Sequence, residues 1–400
     1  MKILVIYPYV PWPLDRGTFQ RTFHLLKRIA TRHDVDFVAF SEPDQSEDAK
    51  KSVFEEFCSS VEFLPFQHPE WQKLFPHRLL NPLPSNVQHW QQDEIAEFID
   101  EKVESGSYDM VHLCDLVLMP YIYKHRDKVP FVVDRSRVDL QFQLMEHQNI
   151  EFSTRQKLLR YESYAKLWFY ERKLAKATLQ EIVCGPDDKT FIHNRVDRNA
   201  PVLVVANGVD LEYFHPDTVD DQRDEDPSIM FCGAMDYSPN VDALKWFFED
   251  VYAQLIKRVP TLKILIVGRS PIPEIQAYAS LKGVTVTGGV PDVRPYYRRA
   301  WLQIVPLRIG GGTRLKIVES LAIGTPVVST SIGAQGLDLE HGRQILLADD
   351  AAAFVDETVK ALEDGALRSS LELEGLKVAN ERFGWPAIGD RLAAHYETLI

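Results

Sequence analysis

PLRIGGGTRLKIVESLAIGTPVVST, residues 306–330, holds the end of one strand, a glycine loop, a helix and a second strand within a single short stretch. The apolar run 302–306 reads as a buried strand, and Gly310, Gly311 and Gly312 follow it. A helix then begins near Thr313. Its end is marked by Gly324, which suits a left-handed cap, and by Pro326, which cannot continue a helix. Residues 326–330 return as a strand. A strand, a crossover helix and a second strand make a parallel unit with helices on its faces.

The same pattern extends in both directions. Residues 2–7 are a β-branched run, and Phe19, Phe23, Leu26 and Ile29 recur at helical spacing before a strand at 35–40. Further strands are expected at 61–64, 110–113, 131–133, 181–184 and 202–205, with helices at 93–103 and 154–174. After residue 217 the chain turns acidic through TVDDQRDEDP and loses apolar periodicity, which predicts an exposed linker. The alternation then restarts, with strands at 229–232, 263–267, 284–287, 302–305, 326–330 and 345–348. Two such series predict an α/β chain of two Rossmann-like doubly wound domains facing across a cleft, with ligand at the carboxyl ends of the strands. The boundaries expected are 1–206, a linker 207–227, a second domain 228–384, and a last helix 385–400 that packs back on the first domain.

Composition narrows the classes of function. The chain has 400 residues, 45% hydrophobic and 26% charged, which describes a globular protein of two or three domains. A net charge of −13 argues against nucleic-acid binding and requires any anionic substrate to find a locally positive site. The N-terminal MKILVIYPYVPWP has a short apolar run that ends in prolines, so it reads as a strand and not as an export signal. Cys58, Cys114, Cys184 and Cys232 lack metal-type spacing and fit reduced thiols, so the expected compartment is cytoplasmic. Asp34 and Asp36 have the spacing of a metal-binding acidic pair, but they lie where a helix hands over to a strand. No metal and no cofactor is expected.

On a wheel of about 100° per residue, Leu315, Ile317, Val318, Leu321 and Ala322 share one arc of the helix after the glycines. Lys316, Glu319 and Ser320 share the opposite arc. Backbone amides at a glycine-rich helix start attract anions, and Arg314 and Lys316 would neutralise a diphosphate. Glu319 is placed to accept hydrogen bonds from a pair of hydroxyls such as those of a ribose. The plainer alternative makes Glu319 a solvated residue paired with Lys316.

These residues resemble the donor motif of family-4 retaining glycosyltransferases, which have the GT-B fold. The likeness is greatest to exopolysaccharide-type transferases with a GGGTR-x-K-x-x-E stretch. Matching segments include the Gly17 loop, ANGVD at 206–210, FCGAMDYSPN at 231–240, IVGRSP at 266–271 and VTGGVPDVRPYYRRA at 286–300. The resemblance implies that Glu319 binds the nucleotide ribose, that Arg314 and Lys316 bind the diphosphate and assist catalysis, and that Gly17, Gly233, Arg269, Gly310, Gly311, Gly312, Thr313 and Val290 line the donor. It also implies an acceptor side near Asp15 and Arg16.

The chain departs from the family at three places. A second glutamate is replaced by Gly311. The loop after the first strand of the second domain, Gly233 to Asp236, lacks the usual cations. Where relatives place a histidine near the reacting carbon, this chain has VVDRSRVD, 132–139, so Asp134, Arg135 or Asp139 would stand there.

The function expected is transfer of a sugar from a nucleotide-diphosphate sugar to a glycan or lipid-linked hydroxyl acceptor in polysaccharide or glycoconjugate synthesis. A nucleotide-sugar epimerase of the same fold and a two-domain sugar-binding protein are the alternatives. Residues 155–176 hold seven basic and two acidic residues interleaved with aromatics. That pattern suits either a peripheral contact with an anionic membrane face or a solvated basic helix face. The aromatic stretch 65–90 suits either an acceptor wall or a packed excursion.

Overall fold

The protein is described from a computed structural model, which describes residues 1–14, 16–41, 47–68, 80–149, 153–220, 223–309 and 315–400. Asp15, Gly310, Gly311, Gly312, Thr313 and Arg314 therefore lie outside the described residues, as do residues 69–79 of the aromatic stretch. The chain divides into two compact units, Met1–Val205 with Pro386–Ile400, and Ala206–Trp385.

The first unit is a seven-stranded sheet built from β1 (Lys2–Tyr7), β2 (Asp34–Ser41), β3 (Ser60–Pro65), β4 (Met110–Leu113), β5 (Phe131–Arg135), β6 (Gln180–Val183) and β7 (Val202–Val204). Its order is β3-β2-β1-β4-β5-β6-β7. Every pairing is parallel, with Ile3 opposite both Val35 and Met110. Ile3, Leu4, Val5 and Ile6 are all buried, as befits a parallel strand covered on both faces. The topology reverses between β1 and β4, which is where doubly wound sheets hold ligands.

The second unit repeats the arrangement with β8 (Ser228–Cys232), β9 (Lys263–Val267), β10 (Val284–Gly288), β11 (Leu302–Val305), β12 (Val327–Ser329) and β13 (Leu346–Leu347). Its order is β10-β9-β8-β11-β12-β13, again wholly parallel. Each unit has its own core of buried Ile, Val, Leu and Phe.

The helix Trp385–Tyr396 carries the chain back to the first unit. Asp390 takes Arg28 in a bidentate pair, with Nε at 2.9 Å and the terminal nitrogen at 2.6 Å. His33 meets the carbonyl of Ala393 at 2.8 Å. Tyr396 reaches Nδ1 of His112 at 2.9 Å.

One expectation is corrected. The acidic stretch after residue 217 is not simply exposed linker. Arg223 donates to the carbonyls of Ala300 and Gly324 at 2.9 and 3.0 Å and pairs with Glu372, while Asp224 pairs with Arg299. Arg223 and Asp224 thus find their partners in the second unit, which a loss of periodicity does not reveal. The described ends of the 65–90 stretch are core: Phe66 stacks on Trp90 with centroids 4.8 Å apart. Asp36 accepts from Ser60 and Tyr108, both at 2.6 Å, so it ties β2 to β3 and to the residues before β4.

Candidate active site

The helix Leu315–Ala322 follows β11, and Ile317, Val318, Leu321 and Ala322 are buried against the second unit's core. Its end is as the sequence implies. Gly324 has φ +79°, and the amide of Thr325 bonds back to the carbonyl of Ser320 at 2.8 Å.

The other side of this helix is also covered, because β8 and the helix Arg294–Arg299 pack there. Ser320 is fully buried and donates to the carbonyl of Thr325 at 2.9 Å. Glu319 is 9% exposed and accepts a hydrogen bond from the Tyr297 hydroxyl at 3.2 Å through Oε2. Lys316 donates to Oδ1 of Asn240 at 2.9 Å and lies over the Phe231 ring at 4.2 Å. The alternative of a solvated Glu319 therefore fails. The wheel grouped Lys316, Glu319 and Ser320 correctly, but it could not say what covers them.

Electrostatics around Glu319 are set by burial. The Tyr297 phenol is held well above its ordinary range, by burial first and then by the neighbouring Cys232 and Glu319. The Cys232 thiol is pushed up to about 12 by burial and by the charge of Glu319, against an opposing pull from Lys316. Both groups stay protonated near neutrality, so Tyr297 is a donor to the carboxylate.

Two further loops reach the same place from the ends of β8 and β9. Gly233 has φ +157°, and a Cβ there would lie 2.5 Å from the Asn240 amide and 3.1 Å from the Lys316 ammonium. Gly268 has φ +155°, and a Cβ there would lie 1.7 Å from the carbonyl oxygen of Gly233. The loops are joined by the Met235 amide donating to Arg269 O at 2.9 Å, and Asn240 bonds Ala234 O at 2.9 Å. Arg269 lies beside Gly289, and Val290 is half-buried at the core's margin. The structure thus brings Gly233, Lys316 and Glu319 together at the carboxyl ends of β8 and β11, with Arg269 and Val290 beyond β9 and β10.

Asn240 and Tyr297 hold these groups in position, and nothing in their spacing singled them out. Arg308 is another unforeseen cation, just past β11, paired to Asp242 through Nε at 3.1 Å. Among the described residues, no group of three or more His, Cys, Asp or Glu could hold a metal ion.

In the first unit, Gly17 opens the helix Gly17–Ile29, and Arg16 lies over the ring of Phe19 at 5.0 Å. Asp134 and Arg135 require correction as reacting-centre residues. Asp134 is buried and held by Arg21 in a bidentate pair at 2.7–3.0 Å, with Arg21 also bonding Val205 O. Arg135 is buried between Glu171 and Glu181. Both stand on β5, a strand covered on both faces, and each is met by its own buried partners, Asp134 by Arg21 and Arg135 by Glu171 and Glu181. Asp139, just beyond, is half-buried and pairs with Arg137 at 2.8 Å.

A group the sequence did not suggest is Asp115, after β4. Its carboxyl is pushed up to about 6, chiefly by burial and then by the charge of Asp139, although Val117 N donates to it at 3.0 Å.

Residues 226–364 match the family model described as Glycosyl transferases group 1. The chain carries a glycosyltransferase domain. An uncharacterised 44.6 kDa protein of the cps region of Klebsiella pneumoniae is 23% identical over 371 residues, covering 90% of each chain. The lipopolysaccharide core biosynthesis mannosyltransferase LpsB of Rhizobium meliloti (strain 1021) is 25% identical over 220 residues, covering 50% of this chain and 62% of its own. The glycosyltransferase domain and its partner unit share their fold with Anabaena HepE, solved in complex with UDP and glucose. That likeness has TM-score 0.68 at 16% identity and covers all of both chains. Both Rossmann-like units of the glycosyltransferase thus have counterparts in GT-B structures.

Proposed function

We propose that this glycosyltransferase moves a sugar from a nucleoside-diphosphate sugar to a hydroxyl of a glycan or lipid-linked acceptor, with retention and without a metal, in polysaccharide or glycoconjugate synthesis. The observation that carries it is the buried Glu319 carboxylate beside the Lys316 ammonium at the ends of β8 and β11. A carboxylate already fixed by Tyr297 suits a ribose diol. A cation beside Gly233 suits a departing diphosphate. Because Asn240 fixes Lys316 before any ligand arrives, little reorganisation is needed when negative charge develops. Gly310, Gly311, Gly312, Thr313 and Arg314 are proposed to supply amides and a second cation there. Gly17, Arg16 and Asp15 are proposed to serve the acceptor in the first unit.

A peripheral membrane contact is part of this reading. On the helix Thr154–Ala177, Leu158, Tyr161 and Phe169 are 71%, 60% and 68% exposed. Lys157, Lys173 and Lys176 are exposed on the same helix. Exposed aromatics flanked by lysines favour the surface of anionic lipid. Among the described residues, no helix is long and apolar enough to cross a membrane.

The test is incubation with UDP-, GDP- and dTDP-sugars, each with and without saccharide acceptors, in the presence of EDTA. Acceptor-dependent release of nucleoside diphosphate and a product of unchanged anomeric configuration are expected. Donor conversion without acceptor, an inverted product, or loss of turnover with EDTA would each overturn the corresponding part.

A further inference from the structure

A concentration of positive charge lies at the other end of the first unit's sheet. Tyr123 ends the helix Met119–Tyr123 a few residues before β5, and Ala177 ends the helix Thr154–Ala177 just before β6. The Thr178 hydroxyl fixes the second helix against the start of β5 by donating to the carbonyl of Phe131 at 2.9 Å. Here a pocket of about 260 Å³ is lined by Tyr123, Arg126, Asp127, Lys173, Lys176 and Ala177. It faces the amino ends of β5 and β6. Ligands of doubly wound sheets gather at the carboxyl ends, so the donor and acceptor sites proposed above do not account for it.

The charge of this lining is unbalanced. Three cations stand against one carboxylate, in a chain whose net charge is −13. Asp127 is 86% exposed and 3.5 Å from Arg126, a pair that water screens. Lys173 and Lys176 are exposed and make no hydrogen bond or ion pair among the described residues. Tyr123 gathers two of the cations, with Lys173 Nζ 3.8 Å and the Arg126 guanidinium 4.4 Å from the same ring centroid. The ring attracts each of them. Like charges held about one ring repel, and an anion within reach of both relieves that repulsion. Lys176, in the last turn of its helix, also offsets the helix dipole, which explains neither Lys173 nor Arg126.

The donors select the ligand. Two ammonium groups and a guanidinium suit the several oxygens of a phosphate group. The volume falls below the roughly 300–1,000 Å³ of drug-sized sites, so one phosphate or glycerol phosphate fits and a nucleotide does not. The surroundings point to a phosphate that carries an apolar tail. At about 100° per residue, Leu158, Ala165, Phe169, Lys173 and Lys176 fall within about 80° of one another on the helix. All five are exposed, Leu158 and Phe169 by 71% and 68%, so an apolar stripe runs into the cation pocket.

We infer that this pocket binds the phosphate of an anionic phospholipid headgroup, with Arg126, Lys173 and Lys176 on its oxygens and Phe169 toward the lipid's apolar part. The inference rests on the peripheral membrane contact proposed above and gives that contact a defined headgroup site in place of a diffuse basic face.

Co-sedimentation of the full chain with vesicles tests it, using phosphatidylcholine alone and phosphatidylcholine mixed with phosphatidylglycerol. Binding should require the anionic lipid. Lys173→Glu and Lys176→Glu should each weaken it tenfold or more. Lys157→Glu makes the same change of net charge about 24 Å along the helix, at about 1.5 Å per residue, and should weaken it less than threefold. Melting temperature confirms that the variants fold. Calorimetry with glycerol 3-phosphate, with UDP, GDP or dTDP saturating the donor site, separates the sources of phosphate. Vesicle binding that depends on Lys173 and Lys176 upholds the inference. Binding of glycerol 3-phosphate alone, lost in Lys173→Glu, would overturn the lipid assignment and the membrane contact while keeping a phosphate pocket. Equal losses in Lys157→Glu and Lys173→Glu would keep the membrane contact and overturn the pocket. Binding of neither probe would overturn both.

Discussion

The Tyr297 hydroxyl lies 3.2 Å from Oε2 of Glu319, and burial keeps that phenol protonated, so it aims the carboxylate as well as solvating it. Removing the donor and removing the carboxylate should differ in degree. Glu319→Ala should weaken nucleoside-diphosphate binding by more than tenfold. Tyr297→Phe should cost several-fold in affinity and about 2 kcal/mol in stability, since a hydrogen bond to a charged group is lost. Calorimetric titration with UDP, GDP and dTDP reads both. Wild-type affinity in a folded Glu319→Ala chain would remove this residue from the donor site.

Gly268 and Gly288 offer a matched pair. At Gly268 a methyl group would meet the Gly233 carbonyl at 1.7 Å, which is backbone and cannot rotate away. At Gly288, φ is +70° and the space is open. Gly288→Ala should cost about 1–2 kcal/mol, the ordinary penalty for a side chain in the left-handed region. Gly268→Ala should cost on the order of 3 kcal/mol or more and abolish nucleotide binding, because it forces the loops after β8 and β9 apart. Denaturant midpoints for the two variants decide it, and equal costs would contradict the geometry.

Arg21 and Asp134 form a buried bidentate pair, so loss of one partner strands the other charge. Arg21→Met should destabilise the first unit by about 3–5 kcal/mol. The double change Arg21→Met with Asp134→Leu should recover a substantial part of that loss. If Asp134→Asn alone abolished turnover in a fully stable protein, the residue would have a chemical role that its burial argues against.

Acid should act on two neighbouring groups with opposite sign. The His112 imidazole is lowered to about 4, chiefly by burial and also by Arg21. From its ordinary value near 6.5 down to about 4, the unfolded chain binds a proton that the folded one refuses, so stability falls as pH falls. Asp115 is raised to about 6, so between about 6 and 4 the folded chain holds the extra proton and its contribution grows as pH falls. Asp115→Asn should therefore stabilise the protein at pH 7 and make the acid loss between pH 6 and 4 steeper. Melting curves across that range check it; an unchanged slope would refute the assignment.

The strands were legible because parallel strands covered on both faces read as short apolar runs, and residues 2–7 or 263–267 can hardly be read otherwise. The glycine turn at 324 was legible for a similarly local reason. What escaped was tertiary. Helical spacing put Lys316, Glu319 and Ser320 on one side, but nothing local says that Tyr297, Asn240 and Phe231 cover it. Asp134 looked like a cleft carboxylate because it ends a strand, and its partner Arg21 lies 113 positions away. Arg223 and Asp224 looked solvated because their partners belong to helices further along the chain. In each case the covalent neighbourhood was read correctly and the partner across space was missing.

The return of residues 386–400 to the first unit means that the second unit is, in genetic terms, an insertion between two parts of the first. Trimming the carboxyl terminus would therefore strike the opposite domain from the one it follows in the chain, stripping Tyr396 from His112 and Asp390 from Arg28. Removing residues 386–400 should leave the fold of the second unit intact while destabilising the first.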